Sequence, residues 1–161
     1  MGRRILASWV VAGTLAAMVF ISSPAHARPS AQSTTCHLSA IVTFNPGLTF
    51  SAQDQIVRTR GTLDSCSGGG VTSATLRGKG AGSLSCTSGT AKATVTIHWN
   101  TAASSTLKLR VDVGSGSATG RVTAGKFAGE SASANLTLTP IDGDCFNTPV
   151  TKASADGSVS L

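Results

Sequence analysis

Alternation of apolar and polar side chains is the dominant pattern of this chain. Over residues 91–99 the odd positions are apolar and the even positions polar, and a second alternating stretch covers 106–113. A period of two is typical of strands that are buried on one face only. The polar segment 100–105 separates the two stretches, so we expect them to pair as an antiparallel hairpin.

Weaker alternation runs through most of the remaining chain, interrupted by glycine and proline turn signals such as Asn45-Pro46-Gly47, 68–70, 125–129 and Pro140. A sustained helical period is missing from the sequence after residue 27. The spacing predicts an all-β fold, either an antiparallel two-sheet sandwich or a flattened barrel of eight or nine short strands. The weaker strand candidates are 38–44, 57–63, 74–78, a short one at Leu84 before Cys86, 118–122, 132–138 and 153–161.

The first 27 residues have the organisation of a secretory signal. Arg3 and Arg4 precede an apolar run over 5–21, which leads to the small-x-small site Ala25-His26-Ala27. A helix of that length spans roughly 25 Å, less than the hydrocarbon core of a bilayer, which favours a cleaved signal over an anchor. We expect cleavage after Ala27, a disordered linker over 28–35 and one secreted, extracellular β-domain over 36–161.

Four cysteines remain in the mature chain: Cys36, Cys66, Cys86 and Cys145. An exported domain meets an oxidising compartment, where an even number of cysteines without a C-x-x-C motif indicates disulfides rather than zinc or redox sites. Three connectivities are possible. Cys36 and Cys66 lie symmetrically about residue 51, where a strand–loop–strand would bring them together, and this favours Cys36–Cys66 with Cys86–Cys145.

Composition favours a compact domain of small side chains. The chain is 40% hydrophobic, 12% charged and 4% aromatic, and it has no Tyr, which differs from disordered tails and coiled coils. Two of the 13 Lys and Arg residues lie in the signal, so the mature chain has 11 cationic side chains and 7 carboxylates. These cations are spaced singly, without the basic stretches and stacking aromatics of nucleic-acid binders. We expect neither a nucleic-acid partner nor, after cleavage, a membrane partner.

Candidates for catalysis are scarce, and we expect no enzymatic activity. The mature chain has two histidines, His37 and His98, and the predicted hairpin places His98 outward near Lys108, Arg110 and Asp112. No G-x-S-x-G motif supports a serine hydrolase. The single carboxylates are typical of turns and exposed strand faces rather than of glycosidase pairs: Asp54, Asp64, Asp112, Glu130 and Asp156.

Two patterns bear on metals, and neither predicts a cofactor. Asp142 and Asp144 flank a glycine just before Cys145, but the further oxygen ligands of a calcium loop are missing, which favours a disulfide-anchored turn. Cleavage after Ala25 would expose His26 as the first ligand of a copper brace like that of secreted polysaccharide oxygenases. The better cleavage site after Ala27 and the missing Tyr disfavour that reading.

The inward side chains are small and the aromatic ones few. Ala, Val, Leu and Gly dominate the predicted inner faces, which allows close packing and leaves little volume for a large ligand cavity. The aromatic residues of the mature chain are too few for a carbohydrate-binding platform, and we expect them in the core: Phe44, Phe50, Trp99, Phe127 and Phe146.

Five segments of the chain carry recognisable motifs: 36–48 (CHLSAIVTFNPGL), 61–66 (GTLxxC), 95–100 (VTIxWN), 120–129 (GxVTxGxFxG) and 143–145 (GDC). They resemble a family of small exported actinomycete proteins without assigned activity. The shared motifs are structural, so the resemblance implies an actinobacterial β-domain and brings no catalytic residues. Enediyne-carrier apoproteins are similar in size, export and two-disulfide sandwich class, although their disulfide loops are shorter.

These observations predict a secreted, monomeric, non-catalytic β-domain that binds, or interacts through its surface with, an extracellular partner that the sequence does not identify. Two alternatives stay open. One is a small-ligand carrier with a cleft between its sheets. The other is an enzyme inhibitor that presents a loop, either 68–70 or 141–149.

Overall fold

The computed structural model describes residues 33–161, which form a closed barrel of eight antiparallel strands. Each strand pairs with its neighbours in the chain, and the last strand pairs with the first. The predicted all-β class is confirmed, as a barrel rather than a two-sheet sandwich. The strands are β1 (Thr35–Leu48), β2 (Gln53–Ser67), β3 (Ala74–Leu84), β4 (Gly89–Trp99), β5 (Ser104–Asp112), β6 (Ser117–Gly125), β7 (Ser131–Asp142) and β8 (Val150–Ser160).

The signal, its cleavage site and linker residues 28–32 lie outside the described residues. Thr34, which lies in the expected linker, is buried and exchanges two backbone hydrogen bonds with Leu161. Over residues 33–161 there is no helix long and apolar enough to cross a membrane.

The hairpin of β4 and β5 forms as the alternation predicts. Ala91 lies opposite Val111 and Val95 opposite Leu107, so the apolar positions of both strands share the inner face. Leu107 is 2% exposed. The strands extend further than expected, which shortens the connecting turn to residues 100–103.

The barrel has two ends. The Trp99 end carries Trp99 and the turns β2–β3, β4–β5 and β6–β7, and the Cys86 end carries the other four turns. At the Trp99 end, the Trp99 indole packs edge-on against Phe127 at 5.3 Å and donates a hydrogen bond to Ser105 Oγ. At the Cys86 end, a second apolar cluster contains Phe44, Leu48, Leu84, Ala91, Val150 and Ala153.

Disulfides join Cys36 to Cys66 and Cys86 to Cys145, the pairs that the sequence favours. The first disulfide links the paired strands β1 and β2 at the Trp99 end. The second links the β3–β4 turn to the β7–β8 turn, which lie four strands apart around the barrel. It therefore ties the rim of the Cys86 end together from side to side.

Two proline segments behave differently from the turn signals expected of them. Strand β1 continues through Asn45-Pro46-Gly47 with an irregular register between Thr43 and Leu48. The Gln55 side chain replaces the missing ladder bonds there: its Nε2 donates to Gly47 O and its Oε1 accepts from Gly47 N. Strand β7 continues through Pro140 to Asp142.

Candidate functional site

The interior of the barrel holds a cavity of about 150 Å³, here called the central cavity. Side chains of all eight strands line it, and most of them are aliphatic. Thr59 is an inward exception, but its hydroxyl donates to Ile41 O at 3.3 Å, which satisfies it within the wall. The central cavity is therefore suited to an apolar occupant.

Small residues in one register row explain the open space. Gly80, Ala93, Leu109, Gly120 and Ala132 lie side by side across β3 to β7. Among them only Leu109 has a bulky side chain, so the middle of the barrel is underfilled. From the sequence, these small residues are expected to allow close packing and to leave little volume for a large ligand cavity. In a closed barrel the walls cannot approach further, because the number and tilt of the strands set its diameter.

The wall of the barrel is weakest between β6 and β7. These strands pair from Ser117 to Arg121, and at the Trp99 end Val122 forms two further backbone bonds, with Gly129 and Glu130. At the Cys86 end the last bond runs from Leu136 N to Gly116 O. The rest of β7 pairs with β8 alone. The central cavity extends to Asp112 at the end of β5 and to Gly116 in the β5–β6 turn. The unpaired stretch between β6 and β7, here called the gap, therefore adjoins the cavity.

Two residues keep the gap in its shape. Gly116 has φ of 63°, and a Cβ there would overlap the carbonyl oxygen of Leu136. Leu136 is also the residue whose N–H donates to Gly116 O. The backbone N–H groups of successive residues in a strand point to opposite sides. The nitrogen of Pro140 therefore points the same way as that of Leu136, toward the free edge of β7, which is the side that β6 leaves unpaired. A proline nitrogen has no hydrogen to donate, and proline is tolerated on edge strands for that reason. The free edge of β7 thus continues past Pro140 and resists pairing with other chains.

The residues considered for acid–base chemistry are not brought together. His98 lies opposite Ser104 at the Trp99 end, whereas Asp112 lies opposite Thr90 at the Cys86 end. His37 contacts Asp64 at 3.5 Å, but both side chains are more than half exposed. The Asp112 carboxylate accepts from Ser115 N, which lowers its pKa and caps the β5–β6 turn. Within residues 33–161 no three His, Cys, Asp or Glu side chains are grouped to hold a metal, and His26 lies outside this range.

Asp144 organises the turn that follows it. Its Oδ1 accepts from the backbone N–H groups of Phe146, Asn147 and Thr148, and its Oδ2 accepts from Asn147 Nδ2. The N–H groups, that of Asn147 foremost, lower the pKa of Asp144 to about 2. Both oxygens are therefore occupied by the turn, and Asp142 bonds to Thr151 Oγ1 instead.

Acid should weaken this turn. The folded pKa of Asp144 is about 2 against 3.8 for the free group, so its stabilising effect is complete above about pH 5 and is lost as the pH falls toward 2. We expect Asp144→Asn to lower the urea midpoint at pH 6, with a smaller difference from the wild type at pH 2.5. A difference that is the same at both pH values would contradict this assignment.

The aromatic residues divide between the core and the surface. Phe44 and Trp99 are buried and Phe127 is half-buried, as expected. The expectation is wrong for Phe50 and Phe146, which are 51% and 83% exposed. They pack against each other edge-on at 4.8 Å, across the β1–β2 and β7–β8 turns. Both residues lie in turns between strands and not on the inner face of the barrel, so they do not contribute to its core.

Comparison with known proteins does not assign the site. No family model matches the chain, and neither the curated proteins nor the solved structures contain a significant match.

Proposed function

We propose that this chain is an exported, non-catalytic barrel that binds a small apolar molecule in the central cavity. The observation that carries the proposal is the cavity itself, with aliphatic walls from every strand and an inward hydroxyl, that of Thr59, already bonded to the backbone. The weak β6–β7 pairing supplies a route for the ligand. The two disulfides suit a protein that works in an oxidising, extracellular environment.

The size of the central cavity limits the ligand. A dry apolar cavity of about 150 Å³ accommodates benzene or xenon, whereas drug-sized ligands occupy roughly 300–1,000 Å³. The proposed ligand is thus a small hydrocarbon-like molecule, such as a single ring or a short branched chain. A large chromophore of the enediyne class would need the barrel to expand.

Binding would also relieve a packing defect. Cavities cost about 24 cal/mol per Å³, so an empty cavity of this size costs on the order of 3–4 kcal/mol. A ligand that restores the missing contacts recovers part of that cost and stabilises the folded state.

Filling the cavity with a side chain tests the proposal. Ala93 lies in the underfilled row, and Ala93→Leu should occupy the space without a cost in stability. We expect benzene to raise the melting temperature of the wild type and to have little effect on Ala93→Leu. Calorimetry with and without saturating benzene measures both.

The matched control is Ala124→Leu, an exposed position on β6. This variant should keep the benzene response of the wild type, because its added side chain lies in solvent. An absent response in the wild type would contradict the proposal, as would an equal response in all three proteins. Native mass spectrometry of the secreted protein would show whether a small molecule already accompanies it.

One surface feature favours a second candidate, an inhibitor of secreted proteases. Phe146 is 83% exposed on a turn that is held by Asp144 and by the disulfide of Cys145. A rigid turn with a protruding phenylalanine matches the hydrophobic specificity pocket of chymotrypsin-type proteases. Inhibition of chymotrypsin that Phe146→Ala abolishes would support this candidate, and lack of inhibition at micromolar protein would exclude that protease class.

A further inference from the structure

The outer surface of the barrel carries one continuous basic face. Eight of the ten Lys and Arg residues of the described chain point outward from β2 to β6, where the sequence had suggested isolated charges. Successive strands bring together residues that are far apart in the chain. The basic face consists of Arg58, Arg60, Arg77, Lys79, Lys92, Lys108, Arg110 and Arg121.

Cations of the basic face lie directly opposite one another. The cross-strand pairs are Arg58 with Lys79, Arg60 with Arg77, Lys92 with Arg110, and Lys108 with Arg121. Like charges in such positions destabilise a sheet. The ion pair found among the described residues, His37 with Asp64, does not involve this face. Repulsion between these cations therefore lowers the stability of the barrel, and a bound polyanion would remove that repulsion.

One register row crosses the middle of the basic face. Arg58, Lys79, Thr94, Lys108 and Arg121 are consecutive neighbours on β2 to β6. At about 4.8 Å between strands the row is about 19 Å long. It presents four positive charges and one hydroxyl along a line, which suits a linear polymer with regularly spaced anions.

An open groove of about 800 Å³ follows this row from Arg58 to Lys108 and reaches β6 at Thr119 and Gly120, beside Arg121. Its walls include the cations Arg58, Lys79, Lys92, Lys108 and Arg110. The hydroxyl-bearing residues Thr94 and Thr119 also line it. The volume is in the range that receives a few units of one polymer chain.

The chemistry of the groove favours a sugar polymer over a nucleic acid. Binders of single-stranded nucleic acid stack bases on aromatic side chains, and the aromatic residues in the described chain lie inside the barrel or in its turns. Threonine hydroxyls both donate and accept hydrogen bonds, as sugar hydroxyls require.

We propose that the basic face binds a flexible acidic polysaccharide, with its carboxylate or sulfate groups along the row from Arg58 to Arg121. The groove lies on the outside of the barrel, so this activity does not depend on a ligand in the central cavity. The polymer is recognised through the spacing of its charges and through its hydroxyl groups.

Charge reversal at the centre of the row tests the proposal. Heparin and polygalacturonate serve as sulfated and carboxylated probes, and neutral dextran as the uncharged reference, by calorimetry at 0.15 M NaCl. We expect Lys79→Glu/Lys108→Glu to lower affinity for the acidic polymers by about 10-fold or more, because charge contacts dominate such binding. The same variant should melt at a higher temperature, since each glutamate lies opposite an arginine.

The control is Lys126→Glu/Lys152→Glu, which makes the same change in net charge outside the basic face. We expect its affinity to stay within about 3-fold of the wild type, because screening weakens distant charges. Equal losses of affinity in both double variants would overturn the proposal. A wild type that binds neither heparin nor polygalacturonate would also overturn it. Tighter binding to duplex DNA, to poly(dT) or to phosphatidylglycerol vesicles at the same salt concentration would also overturn it.

Discussion

Replacing Cys86 and Cys145 together by alanine is expected to lower the free energy of unfolding by about 4 kcal/mol. Their disulfide closes a loop with a sequence separation of 59 residues, and cross-links over long loops restrict the unfolded chain most. The same bond joins two turns that share no strand pairing. Its removal should therefore also loosen the Cys86 end in the folded state. Urea unfolding measures the first effect, and hydrogen exchange over residues 85–88 and 143–149 measures the second.

The Cys36–Cys66 disulfide provides the comparison. Cys36→Ala/Cys66→Ala opens a loop with a separation of 30 residues, for which the same model gives about 3.5 kcal/mol. Because β1 and β2 remain paired along their length, we expect no faster exchange in the turns of the Cys86 end. Equal hydrogen-exchange rates in those turns in both double variants would contradict the inference that Cys86–Cys145 ties the Cys86 end together.

The alternation of β4 and β5 predicts their hairpin because the information is local. In 91–99 and 106–113 the polarity of each residue shows whether its side chain points inward or outward. The polar segment between the two stretches is so short that they pair as antiparallel neighbours. The pairing of β1 with β8 joins residues more than a hundred positions apart. Alternation shows which side of a strand is buried but not which strand lies beside it. A sandwich and a barrel were therefore equally compatible with the pattern.

The basic face was missed for the same physical reason. Lys79, Lys108 and Arg121 are far apart in sequence and become neighbours only through the registers of β3 to β6. The central cavity was missed because small inward residues indicate either close packing or open space. Barrel closure decides between these outcomes, and closure is a property of all eight strands together.

Gln55 left a signal in the sequence. It shares the inward positions of Val57, Thr59 and Leu63, where a long polar side chain is unusual, and it is 1% exposed. Buried amides are almost always hydrogen-bonded. The position thus indicated a backbone irregularity nearby, although not that Gly47 would be its partner.

Replacing Gln55 should be the most damaging single change to the β1 irregularity. Its amide forms bonds of 2.8 and 3.1 Å with the carbonyl and N–H of Gly47, and both residues are buried. Each buried backbone group left unpaired costs about 1–3 kcal/mol, so we expect Gln55→Leu to lower the free energy of unfolding by about 2–4 kcal/mol. Gln55→Ala should cost less than Gln55→Leu, because the vacated space can admit a water molecule that bonds to Gly47.

The neighbouring Gln53 supplies the control for this experiment. Its side chain is exposed and donates to Thr49 Oγ1 at 3.0 Å, so Gln53→Leu should change stability by no more than about 0.5 kcal/mol. Removing apolar surface from water is favourable, so Gln55→Leu would stabilise the protein if burial alone decided the outcome. Urea midpoints for the three variants distinguish the two effects: Gln55→Leu at or above the wild type would show that the Gly47 backbone does not need the amide.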